Sequence, residues 1–261
     1  MISSVTKALD ILQLFTTAEP RLPLSEISRR LGIPKSTVHH LIATLAQQNF
    51  IEQTDDGSYA LGKKIIALTQ NVQVNVELRD RAAPLLRALA DASRESVYLT
   101  VRDGDAVLYI YAIESSQRLM ARTAVGDHAP LYCTSVGKAI IAYLPPEEID
   151  RMYPTEPLHA HTGFTQTTLK MLKEDLEVTR MRGYALDRQE HELETYCIGA
   201  PIFNEHGTPI GACSISGRDF QIVANRMFEL GAEVARVAGE ISRRMGYVPA
   251  RPSQVRRGMK G

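Results

Sequence analysis

The stretch Ile33–Leu61, IPKSTVHHLIATLAQQNFIEQTDDGSYAL, decides how the N-terminal part of the chain folds. Pro34 suits the first turn of a helix, where its missing N–H costs nothing. Behind it Val38, Leu41, Ile42 and Leu45 recur at i, i+3, i+4 and i+7, an apolar face of 3.6-residue period. The opposite face carries Ser36, His40, Ala43 and Gln47. The pattern then changes to two short strand-like runs, FIEQT and SYAL. They flank Asp56-Gly57, a dipeptide that supplies the positive φ angles of a tight hairpin turn.

Upstream, LSEISRRLG predicts a short helix with Leu24, Ile27 and Leu31 apolar, Ser25 as cap and Gly32 closing. Val5, Ala8, Leu9, Leu12 and Phe15 predict a first helix over 3–15, capped by Ser3 or Ser4 and ended by AEPRLP. Helix, helix, tight turn, helix, hairpin is a winged helix-turn-helix. A helix that docks in the major groove needs a buried apolar face and short polar side chains at its N-terminal end. Lys35, Ser36, Thr37 and His40 have those positions, whereas His39, at the edge of the apolar stripe, reads as packed or solvated.

The chain as a whole has no net charge, with 30 Lys plus Arg against 30 Asp plus Glu. Between Arg21 and Gln48, however, four basic residues (Arg21, Arg29, Arg30, Lys35) face one acid, Glu26, which leaves a local excess of +3. That excess suits phosphate, and Arg29 and Arg30 join the DNA-contact set on this ground. The rival reading is a winged helix that binds protein, with Ser36, Thr37 and His40 merely solvated.

Downstream of Lys63 the pattern is helical through IIALTQNVQVNVELRDRAAPLLRALADAS, with Pro84 marking a break or restart. This predicts a linker helix and then the first helix of a second domain. SVYLTVRDGDAVLYIYAIES reads as two strands around Asp103-Gly104, RLMARTAV as another, and SVGKAIIAYL as a helix. Helices at 146–152 and 168–182, strands TYCIGAPIF and PIGACSISG, and a long helix from about Asn225 to Met245 complete an α+β domain. The expected boundaries are 1–62 for the winged helix-turn-helix, 63–78 for the linker helix, 79–247 for the α+β domain and 248–261 for a basic tail. After Glu240 the chain carries Arg243, Arg244, Arg251, Arg256, Arg257 and Lys260 and no acid, and the Pro and Gly content of the tail predicts disorder.

A chain of 261 residues, 44% hydrophobic, can bury a substantial core in one large domain or two ordinary ones. No apolar run approaches the ~18–20 residues that span a bilayer, and MISSVTKALDILQLF is periodic without a small-residue cleavage site. Neither membrane insertion nor export is expected. Cys133, Cys197 and Cys213 are odd in number and lack CxxC spacing, which argues against a disulfide framework or structural zinc and fits a reducing cytoplasm. The seven His show no HExxH, and His159 with His161 is a weak metal signal, so neither a metal nor another cofactor is expected.

From about Val5 to Met245 the chain resembles the IclR family of bacterial transcriptional regulators. The resemblance is carried by LGIPKSTVHHLIATL, by PLYCTSVGKAIIAYLP from Pro130, by GYALDRQEH from Gly183 and by YCIGAPIFNEHGTPIGACSISG ending at Gly217. It implies a DNA-binding winged helix-turn-helix, a linker helix and a GAF-like C-terminal domain that binds a small effector and mediates assembly. The implied partners are double-stranded operator DNA, a small organic acid, and further copies of the chain in a homodimer or homotetramer. One departure lies in the second motif, where the family often has His-Ala-Thr and this chain has Tyr132-Cys133-Thr134.

By position, the resemblance places the effector against Ser135, Val136, Asp187, Cys197, Ser214 and Ser216. The chemistry agrees: Ser135 and Val136 open a helix, whose free N–H groups favour a carboxylate, and serines two apart on a strand share one face. Asp187 beside a carboxylate must accept a hydrogen bond, hold a water or be protonated. Met120, Ala129 and Leu131 are expected as an apolar wall, and the three Cys as small hydrophobes. Two rival functions remain: an interaction module without sequence-specific readout, and an enzyme on the C-terminal domain. SVGKA lacks the Gly and Ser/Thr of a phosphate loop, since Tyr132 and Ala139 stand there, and Cys197 with His191 or Asp187 lacks the context of a thiol hydrolase. A regulator rather than an enzyme is the expectation.

Overall fold

The computed structural model describes residues 2–16, 18–69, 76–115 and 125–249, and the chain divides into two compact units, Met1–Val74 and Asn75–Gly261. In the first unit α1 (Ser3–Gln13), α2 (Leu24–Leu31) and α3 (Lys35–Gln47) precede a hairpin of β1 (Ile51–Gln53) and β2 (Tyr59–Leu61). Their apolar faces converge on Ile11, Leu22, Ile27, Val38, Ile42 and Ile51, all buried. Leu22 pairs with Tyr59 through two backbone hydrogen bonds of 3.0 and 2.9 Å, which ties the entry to α2 onto the wing. The fold is a winged helix-turn-helix.

Several local readings change in detail. Neither Ser3, Ser4 nor Ser25 caps its helix: Ile2 and Pro23 occupy the N-cap positions, without a side-chain cap bond. Pro34 also stands at the N-cap, one residue before α3 begins. In the hairpin only Gly57 takes a positive φ, +81°, and Asp56 instead accepts from the Thr54 hydroxyl and the Ser58 amide. Gly32 does close α2, in the left-handed region at φ 66°, and Ser28 donates its hydroxyl to the Ile33 carbonyl at 2.7 Å to fix the turn into α3.

The segment read as a linker helix holds α4 (Lys64–Thr69) and the start of α5 (Val76–Ser93), with residues 70–75 outside the described ones. Pro84 lies inside α5, which neither breaks nor restarts there. The second unit is a six-stranded antiparallel sheet in the order β5-β4-β3-β8-β7-β6. The strands are β3 (Ser96–Asp103), β4 (Ala106–Ile113), β5 (His128–Pro130), β6 (Ala185–Arg188), β7 (Tyr196–Phe203) and β8 (Pro209–Gly217). The strand expected from RLMARTAV falls largely outside the described residues, as does most of the basic tail.

Strand alternation builds two cores. Val97, Leu99, Ile198, Ala200, Cys213 and Ile215 turn one way, onto α5 and α9 (Met227–Arg244). Tyr98, Ala185 and Ala212 turn the other way, onto a layer with α6 (Ser135–Ile141), α7 (Pro146–Met152) and α8 (Leu169–Arg182). By the two-residue period, Asp187, Cys197, Gly199, Ser214 and Ser216 share the α6 face. Helices cover both faces of the sheet, the GAF-like α+β arrangement. No helix among the described residues is long and apolar enough to cross a membrane.

Candidate functional sites

On α3 the apolar stripe buries Val38 and Ile42 and leaves Lys35, Ser36, His39 and His40 exposed, with Thr37 half-buried. Lys35 has no ion pair among the described residues. The arginines of α2 differ. Arg29 donates to Glu26 at 2.9 and 2.5 Å, while Arg30 donates to Glu26 at 2.7 Å and to both oxygens of Glu19 at 2.9 and 2.7 Å. Those arginines hold the Glu26 carboxyl down at about 2. Arg29 and Arg30 thus hold surface carboxylates that a DNA phosphate would have to displace, exposed pairs of little strength, and Glu19 offsets part of the local positive excess.

In the second unit, Gly199 controls where α6 sits. A Cβ on Gly199 would lie 2.7 Å from the Ser135 carbonyl carbon and 2.9 Å from the Val136 nitrogen, so only glycine lets the start of α6 rest on β7. Thr134 caps α6 by accepting from the Gly137 amide at 3.1 Å. The N–H groups of Ser135 and Val136, which have no acceptor within the helix, remain for other partners.

The α6 end, the sheet and the loop 189–195 enclose a cavity. Ser135, Val136, Asp187, Cys197, Ser214 and Ser216 line it together, along with Tyr98, Tyr109, Thr134, His191, Glu192 and Thr195. Cross-strand pairing explains the convergence, since Asp187 stands opposite Cys197, Cys197 opposite Ser216, and Ser214 between Gly199 and Tyr98. The Cys197 thiol donates to the Ser216 hydroxyl at 3.1 Å. Ser135 and Ser214 are largely buried as residues, yet both line this cavity, and their hydroxyls make no hydrogen bond to protein among the described residues.

The apolar wall is not where the sequence put it. Leu131 is fully buried in the core beneath α6, and Ala129, on β5, pairs with Val107 of β4 and lines a separate groove with Tyr132 and Tyr153. Met120 lies outside the described residues. The wall that exists is aromatic, Tyr98 and Tyr109, whose rings meet edge to face at 5.6 Å. Strand register brings them in, and register is not legible in one sequence. Cys133 and Cys213 are buried, and burial pushes the Cys213 thiol up to about 12, so both are packing residues as expected. His159, His161 and His191 cluster with ring centroids 4.7 and 5.1 Å apart, but no group of three metal-ligating residues among those described is arranged to hold an ion.

Behind the cavity stands a residue noted in the sequence only as part of a failed phosphate loop. Lys138 is fully buried, and its ammonium donates to Glu190 Oε1 at 2.6 Å and Asp175 Oδ2 at 2.7 Å. Burial opposes its charge, but the two carboxylates outweigh burial and hold its pKa above the usual range. Asp187 accepts from the Glu190 amide at 2.8 Å. Burial first, and then the Glu190 charge, push the Asp187 carboxyl up to about 7 against the pull of Lys138.

A carboxyl whose folded pKa exceeds its unfolded value favours folding while protonated. That contribution is complete below pH 3.8 and is lost as pH rises through about 7. Asp187→Asn keeps the neutral form at every pH. Above pH 7 it should therefore gain stability over the wild type, by up to about 4 kcal/mol, and the gain should vanish toward pH 4. Urea melts of both proteins across pH 4–8 check this; a constant difference would contradict it.

Two family models match the chain: the IclR helix-turn-helix domain over residues 4–55 and the bacterial transcriptional regulator IclR C-terminal domain over residues 70–243. The transcriptional repressor IclR of Escherichia coli K12 is 32% identical over 244 residues, spanning 92% of this chain and 89% of the relative. The crystal structure of Thermotoga maritima IclR superposes with a TM-score of 0.79 at 30% identity, covering 95% of this chain and 100% of that one. An IclR homologue from Microbacterium hydrocarbonoxydans, crystallised with 4-hydroxybenzoate, has the same fold, with a TM-score of 0.83 at 22% identity over 93% of this chain and 98% of that one. From both ends, the helix-turn-helix and the sheet domain, the chain belongs to the IclR family of bacterial transcriptional regulators.

Proposed function

We propose that this chain binds double-stranded operator DNA as a homodimer or homotetramer and that a small organic acid, held in the α6 cavity, controls that binding. The observation that carries the reading is the pair of hydroxyls, Ser135 and Ser214, that line one cavity without hydrogen bonds to protein among the described residues. Hydroxyls that open on a cavity are free to donate to a ligand oxygen or accept from a ligand hydroxyl. Asp187, raised toward neutrality, serves the same ligand as a donor, and the Ser135 and Val136 amides as further donors. The 4-hydroxybenzoate in the Microbacterium homologue is an acid of this class.

The cavity is narrow, about 30 Å³, where a drug-sized ligand occupies several hundred. A ligand of more than a few atoms therefore moves part of the lining. The loop 189–195 is the segment to move, because Gln189 and Glu194 hold left-handed φ values of 65° and 56° that cost a non-glycine residue energy. A ligand that prefers the moved form has the differential affinity that control of DNA binding requires. The covalent path to the reading helix runs through residues 63–78.

Calorimetry with a panel of small aliphatic and aromatic carboxylates tests the cavity. At least one acid should bind the wild type, and Ser214→Ala with Ser216→Ala should weaken it by at least about tenfold, the loss of two hydrogen bonds of about 1 kcal/mol each. Equal binding by the double variant would overturn the assignment. On the DNA side, Ser36→Ala, Thr37→Ala and His40→Ala should each weaken operator binding by about 1–3 kcal/mol, and Lys35→Ala should reduce the salt slope by about 1. Anisotropy titrations at several salt concentrations read both; unchanged operator selection in the triple variant would count against the reading helix.

A further inference from the structure

The carboxylates behind the cavity outnumber the cations. Asp187 lies on β6, one residue before its end, Glu190 is in the loop that follows, and Asp175 sits on α8, with side chains of Glu190 and Asp175 only 6% and 15% exposed. Against these three stand Lys138 from α6 and, 3.7 Å from Asp175, Arg182 from α8. Both cations are turned to Asp175 and Glu190. Asp187, 3% exposed, is met by backbone amides, Glu190 at 2.8 Å and His191 beside it, and by no cation within ion-pair distance among the described residues.

The other titratable groups around it bring no fixed positive charge. From the loop come His191 and Glu192, from β7 Cys197, from β4 Tyr109, and Cys133 precedes α6. Burial holds the His191 imidazole below its usual range, hence neutral. A carboxylate ligand brought among these groups would meet the Asp187 charge at close range with little water to screen it. The least costly relief is one proton on Asp187, taken from solvent, which also converts it from an acceptor only into a donor toward a ligand oxygen.

Resting on the function proposed above, we propose that binding of a monocarboxylate in this cavity takes up one proton at Asp187, and that Lys138 and Glu190 are positioning residues that set the pH at which it does so. The regulator then reads acidity together with its ligand. Lys138, committed to Glu190 and Asp175, does not neutralise Asp187. Removing the Glu190 charge eases the proton off Asp187, and removing the Lys138 charge holds it on.

Calorimetry of the full-length protein with benzoate and with 4-hydroxybenzoate, in phosphate and in Tris at pH 8, counts the protons. About one should be taken up per acid bound, with affinity falling roughly tenfold per pH unit above the free Asp187 midpoint. Asp187→Asn should take up none and bind with flat affinity from pH 7 to 9. Glu190→Gln should move the break in the affinity profile to lower pH and Lys138→Met to higher pH, whereas a purely structural role would change affinity and leave the break in place. Carbon-13 titration of the Asp187 carboxyl in the ligand-free protein gives a readout without any acid. A midpoint near neutral supports the proposal, and a midpoint below 5, or no proton uptake on binding, overturns it. Should neither acid bind, the acid class proposed above fails, and the ligand-free titration alone decides this inference.

Discussion

Lys138→Met is expected to lower folding stability by about 3–5 kcal/mol, the cost of leaving a buried charge without its partner. The ammonium is fully enclosed and donates to two carboxylates that reach it from different elements, Glu190 at 2.6 Å and Asp175 at 2.7 Å. Methionine fills much of the same volume, so the loss reports charge rather than packing. Burial already holds the Glu190 carboxyl above its usual range against the pull of Lys138, so without Lys138 it binds its proton more tightly still. The loss is therefore smallest at low pH and grows as pH rises. Adding Glu190→Gln removes one of the orphaned charges and should recover part of the loss. Urea unfolding at pH 5 and pH 8 measures all of this, and a loss below about 1 kcal/mol at pH 8 would show that the ion pair is not held as described.

The second large effect belongs to Gly199→Ala. Its Cβ would meet backbone atoms of Ser135 and Val136 at 2.7–2.9 Å, and backbone does not yield as a flexible side chain does. The start of α6 must lift from β7, at about 1–3 kcal/mol of strain, and with it the amides and the Ser135 hydroxyl leave the cavity. Acid affinity should fall by more than about tenfold, more than the stability loss alone would cause. Gly183→Ala is the control. That residue closes α8 at φ +82° with nothing within 4 Å of a Cβ, so it should cost about 1 kcal/mol of backbone strain and leave acid binding alone. Equal effects on binding at both positions would contradict the close-approach argument.

What the sequence revealed follows the reach of each interaction. The apolar periods of Val38–Leu45 and of TYCIGAPIF and PIGACSISG are local, and helices and strands stand close to where those periods placed them. Caps were less legible. Ser3 and Ser25 are good caps by chemistry, but each is drawn inside its helix because Ile2 and Pro23 take the extended backbone before it. The short strands at His128–Pro130 and Ala185–Arg188 carry too few residues to show a period and exist because a neighbouring strand pairs with them.

Sites were legible where motif and geometry coincide and obscure where partners are distant in sequence. Ser214 and Ser216 point to one face by spacing alone, and Asp187 joins them across two strand pairs. Tyr98 and Tyr109 enter the same cavity only through register. The Arg30 pair with Glu19 reaches 11 positions back, across a proline-containing loop and most of α2, and Lys138 meets acids 37 and 52 residues away. A single sequence shows each of these charges as free, and the fold decides otherwise.

Control of the operator by an acid requires that occupancy of the α6 cavity change affinity for DNA. The direct measurement is an anisotropy titration of operator DNA, with and without a saturating carboxylate identified by calorimetry, on wild type and on Ser214→Ala with Ser216→Ala. The acid should shift wild-type operator affinity by roughly 5- to 150-fold, the range of a typical coupling free energy, and should shift the double variant by less than about twofold at the same concentration. Saturation of the wild-type cavity with operator affinity unchanged would contradict it.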